Sequence, residues 1–97
     1  MPELSLFATI RPKPVHRAAA LKAIEGILED TRAETGCRRF ELNVGAEDDG
    51  VLYLVEHWAD DAALAAHYQM DYVKEVFDAY QDWLACPVDI VRMRRHA

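Results

Sequence analysis

One histidine has the surroundings that acid–base chemistry requires. His67 ends an apolar stretch and lies one helical turn before Asp71, so the two side chains share a face if this segment is helical. An unperturbed histidine titrates near about pH 6.5 and can therefore accept a proton at neutral pH. Such a base can deprotonate a phenol or quinol, which makes the ring electron-rich enough to reduce dioxygen. The alternative is that His67 only caps a helix or hydrogen-bonds structural groups.

A second group of candidates lies on the short apolar stretch that precedes this histidine. Glu56 and Trp58 alternate with His57, so in a strand they point to one side and His57 to the other. Trp58 is either a pocket wall or a core or subunit-interface residue. A carboxylate at Glu56 must be paired or solvated, so it either orients a substrate hydroxyl or forms an ion pair with Arg11 or Arg92.

The region that starts beside His67 is unusually aromatic. Large rings at helical spacing either pack two helices together or line a hydrophobic cavity, where phenol groups orient a ring-shaped ligand. The aromatic residues are Tyr68, Tyr72, Phe77, Tyr80 and Trp83.

No metal site is predicted. His67 and Asp71 would supply only two ligands, which is too few for a specific site. Cys37 and Cys86 are far apart and form no CxxC pattern, so we expect two reduced core thiols rather than a zinc site or a disulfide. Gly-rich phosphate loops and the G-x-S-x-G pattern of hydrolases do not occur in the sequence.

Length and charge limit the possible partners. The chain has 97 residues, enough for one sheet and two helices, and we expect a single domain over 1–97. Its formal net charge of −6 argues against binding nucleic acid or anionic membranes. It contains no apolar run of about 18 residues, and its first residues lack the pattern of a signal peptide, so we expect a cytoplasmic protein.

The elements that must position these residues follow from the hydropathy pattern. Residues 3–11 alternate apolar and polar side chains, which predicts a strand, whereas 15–35 repeat at helical spacing. Gly36 stands where a left-handed cap would end that helix. An Asp-Gly turn at 49–50 favours a hairpin. The predicted elements are strand 3–11, helix 15–35, strands 37–45 and 51–58, helices 62–68 and 72–84, and strand 88–94.

This order, β-α-β-β-α-β, predicts a ferredoxin-like α+β fold in which the first and third strands are central and the helices cover one face. Both central strands carry apolar residues on both of their faces. An uncovered apolar face of this size is a liability, so we expect a second copy of the chain to pack on it around a two-fold axis. A different partner protein is the alternative.

The segment 54–67 reads L-V-E-H-W-A-D-D-A-A-L-A-A-H. It resembles the antibiotic biosynthesis monooxygenase family, whose signature is a strand ending E-x-W, a short acidic turn and then A-L-x-x-H. Gly36-Cys37 before the second strand and Lys13-Pro14 before the first helix support the resemblance. The resemblance implies a ferredoxin-like fold, a homodimer with a barrel-like core, and a ligand cavity between sheet and helices.

The family also implies an activity. Several members oxidise phenols, quinols or polyketide rings with dioxygen and without flavin or metal, whereas others degrade heme or signalling molecules. The family's second histidine is replaced here by Tyr72, in the segment 70–73. Ala8 and Phe77 stand nearest to the asparagine and histidine of the heme-degrading members, which argues against heme degradation.

The first functional hypothesis is therefore a cofactor-independent monooxygenase, similar to quinol monooxygenases, that acts on a small aromatic, phenolic or quinol-type compound. His67 is its predicted catalytic base. The alternatives are a non-catalytic dimeric module for small-ligand binding or stress response, and an isomerase or lyase that acts without oxygen. The predicted substrate-binding residues are Trp58, Tyr72, Glu56, Phe77 and Tyr80.

Overall fold

The computed structural model describes residues 3–97, which form one antiparallel sheet with helices on one of its faces. The strands run in the order β2-β3-β1-β4 across the sheet, which confirms the predicted ferredoxin-like α+β fold with its first and third strands at the centre. No helix among the described residues is long and apolar enough to span a membrane. The elements are β1 (Leu4–Ile10), α1 (Arg17–Glu25), α2 (Leu28–Arg32), β2 (Cys37–Val44), β3 (Leu52–Trp58), α3 (Asp61–Tyr68), α4 (Asp71–Trp83) and β4 (Asp89–Met93).

The single helix predicted over 15–35 is wrong, because the structure divides it into a 3-10 turn (Pro14–His16), α1 and α2. The break falls at Gly26, whose low helix propensity costs about 1 kcal/mol relative to alanine. There the backbone tightens, and the amide of Ile27 donates to the carbonyl of Ile24 at 3.0 Å. Both isoleucines still face the core.

The left-handed cap predicted at Gly36 is also wrong. Among the described residues only Asp48 and Gly50 have a positive φ, and both lie in the turn between β2 and β3. The backbone at Gly36 instead passes so close to α3 that an added Cβ would lie 2.2 Å from the Cβ of Ala63. Glycine is required here for close packing.

The sheet presents its buried face to the helices. Every second residue of β3 is buried on that face, from Leu52 and Leu54 to Glu56 and Trp58, and the alternate residues are half-buried on the open face. Glu56 and Trp58 therefore lie on the side of β3 that faces the helices, and His57 lies on the open side.

The open face is apolar only at its centre. Phe7 and Tyr53 stack there with ring centroids 5.8 Å apart, and Val91 on the edge strand β4 is exposed. The opposite edge strand, β2, contributes polar side chains, which include Arg39 and Asn43. The second apolar face is thus a central patch with one polar edge.

The chain that follows α4 is tied to the chain that follows β1. Pro12 and Leu84 form a bridge, and the amide of Ala85 donates to the carbonyl of Arg11 at 2.8 Å. Both cysteines are free thiols; Cys86 lies exposed just beyond this bridge instead of in the predicted core.

Candidate active site

A small cavity of about 40 Å³ lies between the buried face of the sheet and α4. It is almost entirely apolar, which suits a ligand with a hydrophobic ring. Among residues 3–97, the ionisable side chains other than phenols that line it are Glu56 and His67. The apolar lining includes Ala8, Ile10, Ile24, Leu54, Val76 and Phe77.

His67 lies in the last turn of α3 with 3% of its surface exposed. Asp60 fixes the start of this helix, because its side chain accepts a hydrogen bond from the amide of Ala63 at 2.9 Å. The imidazole packs between aromatic rings, with the centroid of Trp58 at 4.6 Å and that of Phe40 at 5.7 Å. The ring is therefore held in one orientation.

The Nδ1 atom of His67 lies 2.8 Å from Oε2 of Glu34, and both side chains are buried. When the carboxylate is ionised it accepts a hydrogen bond from Nδ1–H, which leaves the lone pair of the histidine on Nε2. Because Nδ1 is engaged by Glu34, Nε2 is the nitrogen available to the cavity that the ring lines.

Tyr72 contacts the same carboxylate oxygen as His67 does. Its hydroxyl donates to Oε2 of Glu34 at 2.5 Å. Burial, followed by the neighbouring Glu34, raises the pKa of Tyr72 well above its ordinary value, so the phenol stays protonated and remains a donor. Tyr72 thus contacts Glu34 and stands behind the cavity lining.

Sequence reasoning missed Glu34. The residue follows α2 and lies 33 positions before His67, so no local spacing connects the two. The sequence signal nearest to Glu34 is Gly36, which lies two residues later. Gly36 permits the close approach to α3 that brings the Glu34 carboxylate to His67.

Glu56 carries an unusual carboxyl group. It is 5% exposed, and the indole Nε1 of Trp58 donates to its Oε1 at 3.0 Å. Burial raises the pKa of Glu56 to about 7, although the Trp58 hydrogen bond opposes this rise. The ion pair predicted with Arg11 or Arg92 is wrong: among residues 3–97 neither pairs with Glu56, and Arg92 donates to Asp61 at 3.2 Å.

Of the remaining predicted substrate-binding residues, Phe77 and Tyr80 line the cavity and Trp58 does not. The Tyr80 hydroxyl, however, donates to the carbonyl of Ala20 at 2.7 Å. Burial raises the pKa of Tyr80, and its phenol serves helix packing. Trp58 is fully buried and stands behind Glu56, outside the cavity lining. In the described part of the chain, Asp71 joins no cluster of metal-ligating side chains.

The comparison with family models finds one match. Residues 4–83 match the family described as antibiotic biosynthesis monooxygenase. The matched stretch extends from β1 to the end of α4, so it contains Glu34, Glu56, His67 and Tyr72.

Two curated proteins are similar in sequence. YcnE of Bacillus subtilis is 26% identical over 87 residues, which cover 90% of this chain and 92% of YcnE. Rv0793 of Mycobacterium tuberculosis is 34% identical over 64 residues, which cover 66% of this chain and 62% of Rv0793. The names of both suggest a monooxygenase and state no substrate.

Solved structures share the fold along the whole chain. PA3566 of Pseudomonas aeruginosa superposes with a TM-score of 0.93 at 30% identity, over 100% of this chain and 97% of that one. The structure of Rv0793 also gives a TM-score of 0.93, at 25% identity, over 98% of this chain and 96% of its own.

Proposed function

Because the chain belongs to the antibiotic biosynthesis monooxygenase family, we propose that it oxidises a small phenolic or quinol-type compound with dioxygen, without a flavin or a metal. The observation that carries this proposal is the buried pair of Glu34 and His67, which adjoins an apolar cavity. A histidine held in this way is a general base in the surroundings that a phenol ring prefers.

In the first step, Nε2 of His67 removes the proton of the substrate hydroxyl. The imidazolium that forms is stabilised by the Glu34 carboxylate at Nδ1, 2.8 Å away in a site from which water is largely excluded. Tyr72 is a positioning residue, since its hydroxyl orients that carboxylate.

In the second step, the electron-rich phenolate transfers one electron to dioxygen, and the two radicals combine to form a C–O bond at a ring carbon. The resulting peroxide anion takes back the proton held by His67 and becomes a hydroperoxide. Its O–O bond then breaks as the ring C–H is lost as a proton, and this proton joins the departing hydroxide to form water. One dioxygen thus yields one quinone oxygen and one water, and both electron pairs come from the substrate.

Glu56 would bind the substrate oxygen. With a pKa of about 7 it is largely protonated below that pH, and Trp58 already occupies Oε1. The second oxygen of the carboxyl group can therefore donate a hydrogen bond into the cavity. Phe77 and Tyr80 supply apolar walls, and Trp58 acts by holding Glu56.

We also propose that the chain is a single-domain homodimer that functions in the cytoplasm. The central patch of the open sheet face, with Phe7, Tyr53 and Val91, supports a second copy of the chain as its cover. Two free thiols are compatible with a reducing compartment.

Oxygen consumption tests the proposed function. Wild-type protein, His67→Ala and the control His96→Ala, in the exposed C-terminal segment, are each supplied with a series of phenols and hydroquinones. We expect uptake of one dioxygen per substrate in the wild type and the control, and a loss of about 100-fold or more in kcat for His67→Ala. An equal rate in His67→Ala contradicts the proposal, and so does ligand binding without oxygen uptake.

A further inference from the structure

A second, larger hollow opens directly outside the cavity. It lies between the end of α4, the segment that follows it and β4, and it has a volume of about 620 Å³. We call it the outer groove. Its walls beyond the cavity are Gln81 and the segment Leu84, Ala85, Cys86 and Pro87.

The outer groove and the cavity adjoin each other. Four residues line both: Phe77 and Tyr80 from α4, and Val88 and Ile90 from the strand side. Phe77 and Ile90 are 40% and 39% exposed, which leaves two large apolar side chains uncovered at the point where the hollows meet. A molecule that extends from the cavity into the outer groove would contact both of these side chains.

The groove is also built to be apolar and rigid. No charged residue is among the described residues that line it. Its floor is held in place by the Pro12–Leu84 bridge and by the amide of Ala85, which donates to Arg11 at 2.8 Å. A rigid apolar surface loses little conformational entropy when it is covered, so it can add binding free energy.

We infer that the outer groove is a subsite for the ligand of the cavity, and that this ligand carries an uncharged apolar extension on its aromatic ring. The inference rests on the proposed function for the identity of the ring. The oxygenated ring lies beside His67 and Glu56, and the alkyl or polycyclic extension lies outside against Leu84 and Val88. The four residues shared by the two linings select this occupant, because one elongated molecule that contacts them can cover both surfaces.

The test measures binding without turnover. Phenol and its para-ethyl, para-butyl and para-hexyl derivatives are titrated anaerobically into the wild type, Ala85→Asp and Ala46→Asp. Both alanines are exposed, but Ala46 lies in the turn after β2, so the two variants add the same charge inside and outside the groove. Full burial of one methylene group would tighten binding about fourfold. If the groove covers only half of each methylene group, the gain would be about twofold per methylene.

We therefore expect hexylphenol to bind about 15-fold more tightly than ethylphenol in the wild type and in Ala46→Asp, with little or no gain in Ala85→Asp. Phenol itself should bind all three equally. Affinity that is independent of chain length in the wild type, an equal gain in Ala85→Asp, or no binding of any member overturns the inference.

Cys86 gives a second measurement in a Cys37→Ser background, where it is the only thiol. We expect rapid modification of the free protein by a thiol reagent, at least fivefold protection by hexylphenol and none by phenol. A thiol already protected without ligand would show that a second copy covers the groove, which also overturns the inference. If the alkyl series behaves as expected but His67→Ala consumes oxygen at the wild-type rate, the groove stands and the proposed function fails.

Discussion

Replacement of Glu34 by glutamine tests the central claim about the site. The change keeps the shape of the side chain but removes the negative charge that lies against Nδ1 of His67 at 2.8 Å. It also lets the amide donate to Nδ1, which would favour the tautomer with its proton on Nε2. That tautomer cannot accept a proton from a substrate in the cavity.

The magnitude follows from the geometry. Two charges centred roughly 4 Å apart interact by about 4 kcal/mol at an effective dielectric constant of 20, which suits partly buried pairs. Because glutamine retains some polar contact, we expect Glu34→Gln to raise the barrier by about 3 to 4 kcal/mol, a loss of roughly 100- to 1,000-fold in kcat. KM should change less than about threefold, because Glu34 stands behind His67 and outside the cavity lining.

The assay is steady-state oxygen uptake, with Glu75→Gln on the exposed side of α4 as the control. The ¹⁵N chemical shifts of the His67 imidazole report the tautomer independently of turnover. In the wild type we expect an unprotonated Nε2, and in Glu34→Gln a mixture or the opposite tautomer. A folded Glu34→Gln protein with kcat within threefold of the wild type, or with an unchanged tautomer, would refute the reasoning.

Two further predictions concern stability, and a third concerns the pKa of Glu56. The raised pKa of Glu56 means that between about pH 4.5 and 7 the folded chain keeps a proton that the unfolded chain has lost, so the free energy of unfolding falls as pH rises through this window. Glu56→Gln should therefore have a free energy of unfolding about 3 kcal/mol above that of the wild type at pH 8, and nearly the same as the wild type at pH 4. Urea unfolding measures both values. Equal stability of the two proteins at pH 8 would show that ionising the buried Glu56 carboxyl group does not destabilise the fold. Trp58→Phe removes the indole donor that lowers the pKa of Glu56, so a carboxyl titration by ¹³C NMR should show this pKa above 7, and an unchanged value would contradict the role of the hydrogen bond. Gly36→Ala should destabilise the fold by about 1 to 3 kcal/mol, because the new Cβ meets that of Ala63, and Ala63→Gly in the same chain should recover much of the loss; additive effects in this double-mutant cycle would argue against the contact.

Patterns carried by single elements were predictable from the sequence. Alternation of apolar and polar residues predicted β1, and the β-α-β-β-α-β order predicted that β1 and β3 are the central strands. The parity of Glu56, His57 and Trp58 separated the two faces of β3. These features depend on neighbours along the chain, which a sequence displays directly.

Features that depend on distant parts of the chain were not predictable. Glu34 becomes a partner of His67 only when the segment after α2 packs on α3, and Gly36 permits that packing. Tyr72 and Trp58 are aromatic residues in the right region, but which atoms they contact depends on side-chain rotamers. Both donate hydrogen bonds to carboxylates, one to Glu34 and the other to Glu56, instead of facing the cavity.

The place of β1 in the sheet has a consequence for synthesis. The strand leaves the ribosome before both of its neighbours: Ile10 pairs with Leu52 in β3, and Phe7 pairs with Val91 in β4. Only the β2–β3 hairpin joins strands that are adjacent in sequence. The nascent chain therefore exposes an apolar, β-prone segment, Leu4–Ile10, until β3 has been translated. Translation pauses before β3 should favour aggregation, whereas pauses after β4 should not.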